Sequence, residues 1–94
     1  MGWIRKESAL LVLSRKTGES LLINDFQVTV GWIRFNKVQL VVSGVGDMLP
    51  VKQMLYMNEK IKVTTEIEIV VVNIRDEKVR VGITAPPGTA IQRL

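Results

Sequence analysis

The chain has 94 residues, with 13 Lys and Arg against 9 Asp and Glu, and it contains neither His nor Cys. Those two zeros exclude an imidazole general base, a thiolate nucleophile, a Cys/His metal cluster and a disulfide frame. At 47% hydrophobic it can bury one small core, of a size that often gains from oligomerisation.

The charge of +4 is unevenly placed. Residues 1–16 hold Arg5, Lys6, Arg15 and Lys16 against Glu7, and the rest of the chain is nearly neutral. A basic focus beside a neutral body suits an anionic partner, although a basic end is also ordinary solvated surface. The apolar run Ala9 to Leu13 is too short for a signal-peptide core or a bilayer span. Met1-Gly2 opens like a myristoylation motif, but Lys6 stands where Ser or Thr is required. A soluble cytoplasmic protein is expected.

Along the chain the dominant period is two. Residues 27–33 form a β-branched run, and Lys37 to Ser43 alternates with Val38, Leu40 and Val42 on one side. Met48 to Lys60 reads either as a helix entered at Pro50 or as extended chain, and extended chain is the expectation. Glu66 to Val72 alternates and then turns continuously apolar, the pattern of a strand entering a core. Lys78 to Thr84 alternates again, with Val79, Val81 and Ile83 inward. Thr17-Gly18, Asn24-Asp25, Phe35-Asn36, Asp76-Glu77 and Pro86-Pro87-Gly88 are the turn signals between these runs. Short strands, tight turns and no βαβ spacing predict a small antiparallel all-β fold.

The sequence also repeats. Shifted by 41, residues 28–43 fall on residues 69–84 with identity at Val30/Val71, Ile33/Ile74, Arg34/Arg75, Lys37/Lys78 and Val38/Val79. Identity through the turn, at Ile-Arg and Lys-Val, argues for a duplicated hairpin rather than a chance alignment of Val-rich strands. The division expected is an N-terminal extension at 1–9 and two diverged copies at 10–53 and 54–94, folded as one unit.

Leu10-Leu11-Val12-Leu13-Ser14-Arg15-Lys16-Thr17-Gly18-Glu19 closely resembles the first strand and turn of the CsrA/RsmA family, the bacterial carbon storage regulators. Glu68 to Arg75 and Lys78 to Pro86, with Val81-Gly82-Ile83-Thr84-Ala85-Pro86, resemble its central hairpin, and Thr89 to Arg93 its last strand. The resemblance implies a small five-stranded fold whose protomers dimerise by interleaving strands. It also implies binding of GGA motifs in mRNA or small-RNA loops, and through that control of translation or mRNA stability. Each RNA site is then formed by the first strand of one protomer and the last strand of the other. Carried onto this sequence, the RNA-binding set is Leu13, Ser14, Arg15 and Lys16 with Ile91, Gln92 and Arg93, where Gln92 replaces a frequent His. No catalytic residue, metal or other cofactor is implied. Chemically, Arg15, Lys16 and Arg93 can neutralise phosphates and fork onto guanine edges. Aromatic stacking is not expected to dominate, since Trp3, Phe26, Trp32, Phe35 and Tyr56 lie outside the matched strands.

The second copy departs from the pattern. Its first strand, expected at Met54-Leu55-Tyr56-Met57, lacks the Arg-Lys pair, and the last strand of copy 1, expected at Pro50-Val51-Lys52-Gln53, ends in Gln53 instead of Arg. The two strands abut with almost no linker. The chain ends at Leu94, short of the C-terminal helix that the resemblance implies. One competent RNA site per chain is therefore the expectation, in a covalent pseudo-dimer or a strand-exchanged homodimer. The competing reading is a diverged protein-interaction module that heterodimerises with an intact family member or binds an antagonist protein. Glu66, Glu68, Asp76 and Glu77 have no partner base and read as surface.

Overall fold

The computed structural model describes residues 9–44 and 50–94. The N-terminal extension, including Trp3 and the basic Arg5-Lys6 pair, lies outside the described residues apart from Ala9. Nine strands follow in order: β1 (Ala9–Lys16), β2 (Ser20–Ile23), β3 (Phe26–Arg34), β4 (Lys37–Ser43), β5 (Val51–Tyr56), β6 (Lys60–Lys62), β7 (Glu68–Arg75), β8 (Lys78–Ala85) and β9 (Ile91–Arg93). There is no helix among the described residues. The fold is all-β, as the two-residue period predicts.

The strands form two antiparallel sheets, ordered β1-β8-β7-β6 and β5-β4-β3-β2-β9. Alternation explains the packing. In β4, Val38, Leu40 and Val42 are buried while the residues between them are not, and β8 turns Val79, Val81 and Ile83 to the core, with Gly82 buried as well. These inward faces meet in one apolar cluster that also takes Leu21, Ile23, Val28 and Val30 from one sheet and Ile69 and Val71 from the other. Each such side chain contributes roughly 1.5–3 kcal/mol on leaving water.

The two hairpins β3-β4 and β7-β8 are built alike. Both have a register shift on the first strand, between Val30 and Trp32 and between Val71 and Asn73. This is a β-bulge, an extra residue that breaks the alternation. It corrects the reading of Val70-Val71-Val72 as a strand sinking into the core. Val70 and Val71 face opposite sides, and Val72 is the bulged residue, 38% exposed. The bulge in β3 falls at Gly31.

The likeness extends to the preceding turns. Gly18 N–H donates to the Val30 carbonyl at 2.8 Å and Val30 N–H to the Glu19 carbonyl at 3.0 Å. Asn58 N–H donates to the Val71 carbonyl at 2.7 Å and Val71 N–H to the Glu59 carbonyl at 3.0 Å. Gly18 and Asn58 both have positive φ, +86° and +70°, which glycine adopts freely and Asn tolerates.

Pairing between the halves is what joins the sheets. β1 runs along β8 from Ala9↔Ala85 to Lys16↔Lys78, and β9 adds to β2 with Leu21↔Arg93 and Ile23↔Ile91. The segment read as extended chain is extended: β5 pairs with β4 from Val42↔Val51 to Lys37↔Tyr56. Val51, Lys52 and Gln53 do not form a separate last strand for the first copy. They run on into Met54, Leu55 and Tyr56 as one strand, because all six continue the same ladder with β4. Met48 lies outside the described residues.

Ile83 is fully buried between Leu11 and Ile69 in the register of its sheet. Ile83→Ala is expected to lower stability by about 2–5 kcal/mol, read as a fall in the urea midpoint with an unchanged slope. A loss below about 0.5 kcal/mol would mean that the two sheets do not share this core.

Candidate nucleic-acid interface

The β1–β2 turn is fixed by its own chemistry. Glu19 N–H donates to the Lys16 carbonyl at 2.9 Å, closing a tight turn through the positive-φ Gly18. The Glu19 carboxylate then accepts the Lys16 N–H at 2.8 Å. Tyr56 and Glu59 repeat this bond at 2.9 Å in the other half.

Within this frame Arg15 is set at the seam where the edge strand β1 of one sheet meets the edge strand β9 of the other. It shares the inward side of its sheet with Leu11 and Leu13, and its side chain is only 13% exposed. Its Nε donates to the Ser14 carbonyl at 2.8 Å, and its Nη1 reaches the carbonyls of Ser20 and Leu94, both at 3.3 Å. Leu94 N–H donates in turn to the Ser20 carbonyl at 3.0 Å. Arg15 therefore clasps the end of β1, the start of β2 and the residue after β9. Its Nη2 makes no hydrogen bond among the described residues.

Arg93 stands opposite Leu21, so it too points to the seam rather than to the outer face. Ser14, Arg15, Lys16, Glu19, Lys78 and Arg93 line one open cleft of about 240 Å³. Four of the seven residues expected from the sequence thus converge: Ser14, Arg15, Lys16 and Arg93. The other three do not line the cleft. Leu13 and Ile91 pack against the core, where they fix the strands that carry the arginines. Gln92 is exposed beside Leu22, which puts it on the other side of β9 from Arg93.

Lys78 was not among the residues expected to bind. It enters because Lys16 and Lys78 are direct partners in the β1–β8 ladder, and Lys78 is the partner of Arg75 in the next. Three cations thus stand in one row across β1, β8 and β7. Like charges directly opposite one another destabilise a sheet, so the row is a place for anions. A second cleft, lined by Ser14, Asn73, Arg75, Asp76, Lys78 and Arg80, shares Ser14 and Lys78 with the first. The repeated Ile-Arg-x-x-Lys-Val element was the signal for Arg75 and Lys78, but only the register shows them beside Lys16.

At the opposite seam the same positions are changed. Leu55 occupies in β5 the place of Arg15 in β1 and is buried, at 3% exposure. Tyr56 stands where Lys16 stands, opposite Lys37. β6 is the last strand of its sheet among the described residues, with no counterpart of β9 beside it. An arginine there would have no Leu94 carbonyl to hold, and leucine fills its place.

With this geometry in view, comparison with known proteins is informative. Residues 54–94 match CsrA, a global regulator protein family. The match covers the C-terminal 41 of the 94 residues. No curated protein and no solved structure matches it significantly. The family is one of RNA-binding, post-transcriptional regulators. The matched span holds the hairpin β7-β8 and the strand β9 with Arg93. The Arg15-Lys16 half of the cleft comes from the other end of the chain. No helix among the described residues is long and apolar enough to cross a membrane.

The Glu19 carboxyl is held below its ordinary value, first by the Lys16 N–H and then by the charges of Arg15, Lys16 and Lys78, against a partial desolvation that raises it. A carboxyl lowered on folding contributes stability above its unfolded pKa, and that contribution is lost as pH falls through the folded value. The Lys16 amide resonance is therefore expected to move only below the ordinary carboxylate range. In Glu19→Gln that movement should vanish. An amide that titrates at or above the usual glutamate value would contradict the hydrogen bond.

Proposed function

We propose that this chain is a sequence-specific RNA-binding regulator that recognises GGA motifs in mRNA or small-RNA loops and so controls translation or mRNA stability. The observation that carries the reading is the in-register row Lys16, Lys78 and Arg75 beside the paired arginines Arg15 and Arg93. The lysine row is suited to phosphates, which set position. The arginine forks are suited to guanine edges, which set sequence. Exposed backbone along the edges of β1 and β9 adds donors and acceptors for bases splayed out of a loop. The work is binding rather than catalysis, in the cytoplasm where messages are read.

One chain supplies one such site. β1 and β9 come from the two halves, so a single chain stands in for the dimer from which the family's sites are assembled. The seam at β5 and β6, with Leu55 and Tyr56 in place of the Arg-Lys pair, is not a second GGA site. That loss is also the observation behind the alternative, in which the chain heterodimerises with an intact family member or meets an antagonist protein. The intact row at the first seam favours RNA.

Titration of a hairpin with GGA in its loop, against the same hairpin with both guanines changed, is the test, at one moderate salt concentration. Preference for GGA with one RNA per chain is expected. Arg93→Ala should cost about 1–3 kcal/mol for the GGA hairpin and relax the preference, while Lys78→Ala should weaken both RNAs alike. Arg15→Ala should do both, since it also releases the clasp on residue 94. Equal affinity for the two hairpins would overturn the reading, and two equal sites per chain would overturn the single-site assignment.

A further inference from the structure

The outer face of β3, β4 and β5 sets two aromatic rings, the half-buried Trp32 and the exposed Tyr56, among cations. The ladders set two rows across these strands: Trp32, Gln39 and Met54 in one, Arg34, Lys37 and Tyr56 in the next. The Arg34 guanidinium lies 4.9 Å from the centre of the Trp32 ring, and the Lys37 ammonium 5.9 Å from that of Tyr56. None of the three strands contains an Asp or Glu.

The repeat identifies what has changed. The corresponding positions in the other half are Asn73, Arg80 and Ser14 in one row and Arg75, Lys78 and Lys16 in the next. Those six border the cleft assigned to RNA. Four differences define the second face: Trp32 for Asn73, Gln39 for Arg80, Met54 for Ser14 and Tyr56 for Lys16. Two cations are kept at the same places, Arg34 and Lys37. The result is a surface with two rings, each with a cation over it, that pairs stacking area with positive charge for phosphates, the combination used to hold single-stranded nucleic acid with little regard to sequence.

The two faces are also connected. A cleft of about 610 Å³ at the turn end of the molecule is lined by Lys16 and Thr17 from the first site, by Arg34 and Phe35 from the β3–β4 turn, and by Asp76 and Glu77 from the β7–β8 turn. Phe35 is 95% exposed. A strand leaving the Arg15–Arg93 seam past Lys16 meets Arg34 and Phe35 next.

We propose that the β3-β4-β5 face is a stacking platform for unpaired nucleotides flanking the GGA loop, with Trp32 and Tyr56 each taking one base and Arg34 and Lys37 the phosphates. The proposal rests on the RNA reading above and extends it to flanking RNA. Two strand spacings and two residues separate the rings, roughly 12 Å, so they serve two different bases rather than clamping one. The face adds affinity without adding sequence preference.

The test compares the GGA hairpin alone with the same hairpin carrying an eight-nucleotide unstructured tail on either end, using the full chain. For the unaltered protein one tailed hairpin is expected to bind about tenfold more tightly than the hairpin alone. Trp32→Leu and Tyr56→Leu keep apolar bulk but remove the rings. Each should erase most of the gain and leave affinity for the tailless hairpin unchanged. In the unaltered protein, 4-thiouridine placed in the tail should photo-crosslink to Trp32 or Tyr56, a readout that needs no variant. If the tailless GGA hairpin binds with preference but neither tail adds affinity, the platform is refuted and the RNA reading stands. That is also the outcome expected if the face serves a protein partner. Crosslinks that map elsewhere refute it equally. If no RNA shows GGA preference, both proposals fall together.

Discussion

The ladder from Ala9↔Ala85 to Lys16↔Lys78 joins the first strand of the chain to the eighth, and the sandwich depends on it. Without it β8 would be an edge, its buried Val79, Val81 and Ile83 would lack a neighbour, and one side of the core would open to water. The ladder also has a strict register. A slip of one residue would send Leu11 and Leu13 to the outer face and turn Lys16 inward. The same register that closes the core therefore sets Lys16 beside Lys78 and Arg15 at the seam. Fold and candidate site are two readings of one set of hydrogen bonds.

From that constraint the asymmetry of the molecule follows. Two hairpins of one design, each with a bulge and each preceded by the same turn, present six matching positions on their outer faces. Each β1-like strand runs along the hairpin of the other half or its own neighbour: β1 on β8, β5 on β4. Among the described residues, one seam has the ninth strand, and there an arginine sits with backbone carbonyls to hold. At the other seam Leu55 and Tyr56 stand in place of the arginine and lysine, and no added strand lies beside β6 among the described residues. Arginine buried at a seam is tolerated when its donors are satisfied, and costly when they are not. A buried leucine, not an arginine, therefore suits the seam where no added strand offers carbonyls.

Much of this was legible in the sequence. Lys37 to Ser43 and Lys78 to Thr84 alternate cleanly because each lies between two strands, with one face on the core. The turns at Thr17-Gly18, Asn24-Asp25, Phe35-Asn36 and Asp76-Glu77 announced themselves through residues that accept positive φ or hydrogen-bond their own backbone. β5 was ambiguous for an equally physical reason. It is an edge strand in which only Leu55 is buried, so it carries no two-residue signal. β6 and β9 are three residues each, too short for any period to show. Val70-Val71-Val72 misled because a bulge and a fully buried strand both read as an unbroken apolar run. At the site, the resemblance carried the Arg15 and Arg93 ends, but the cation row and the Trp32–Tyr56 face needed register, which no local pattern contains. Trp32 and Tyr56 are 24 positions apart and share a face only because β4 lies between them.

The clasp of Arg15 on the Ser20 and Leu94 carbonyls has a consequence in time as well as in space. Arg15 lies at the end of β1, and residue 94 follows β9, which docks on β2. Until β9 has docked, Arg15 has neither the Leu94 carbonyl to hold nor Arg93 beside it. The seam is thus completed only after that strand has paired, and a chain with β9 undocked carries one half of the cleft.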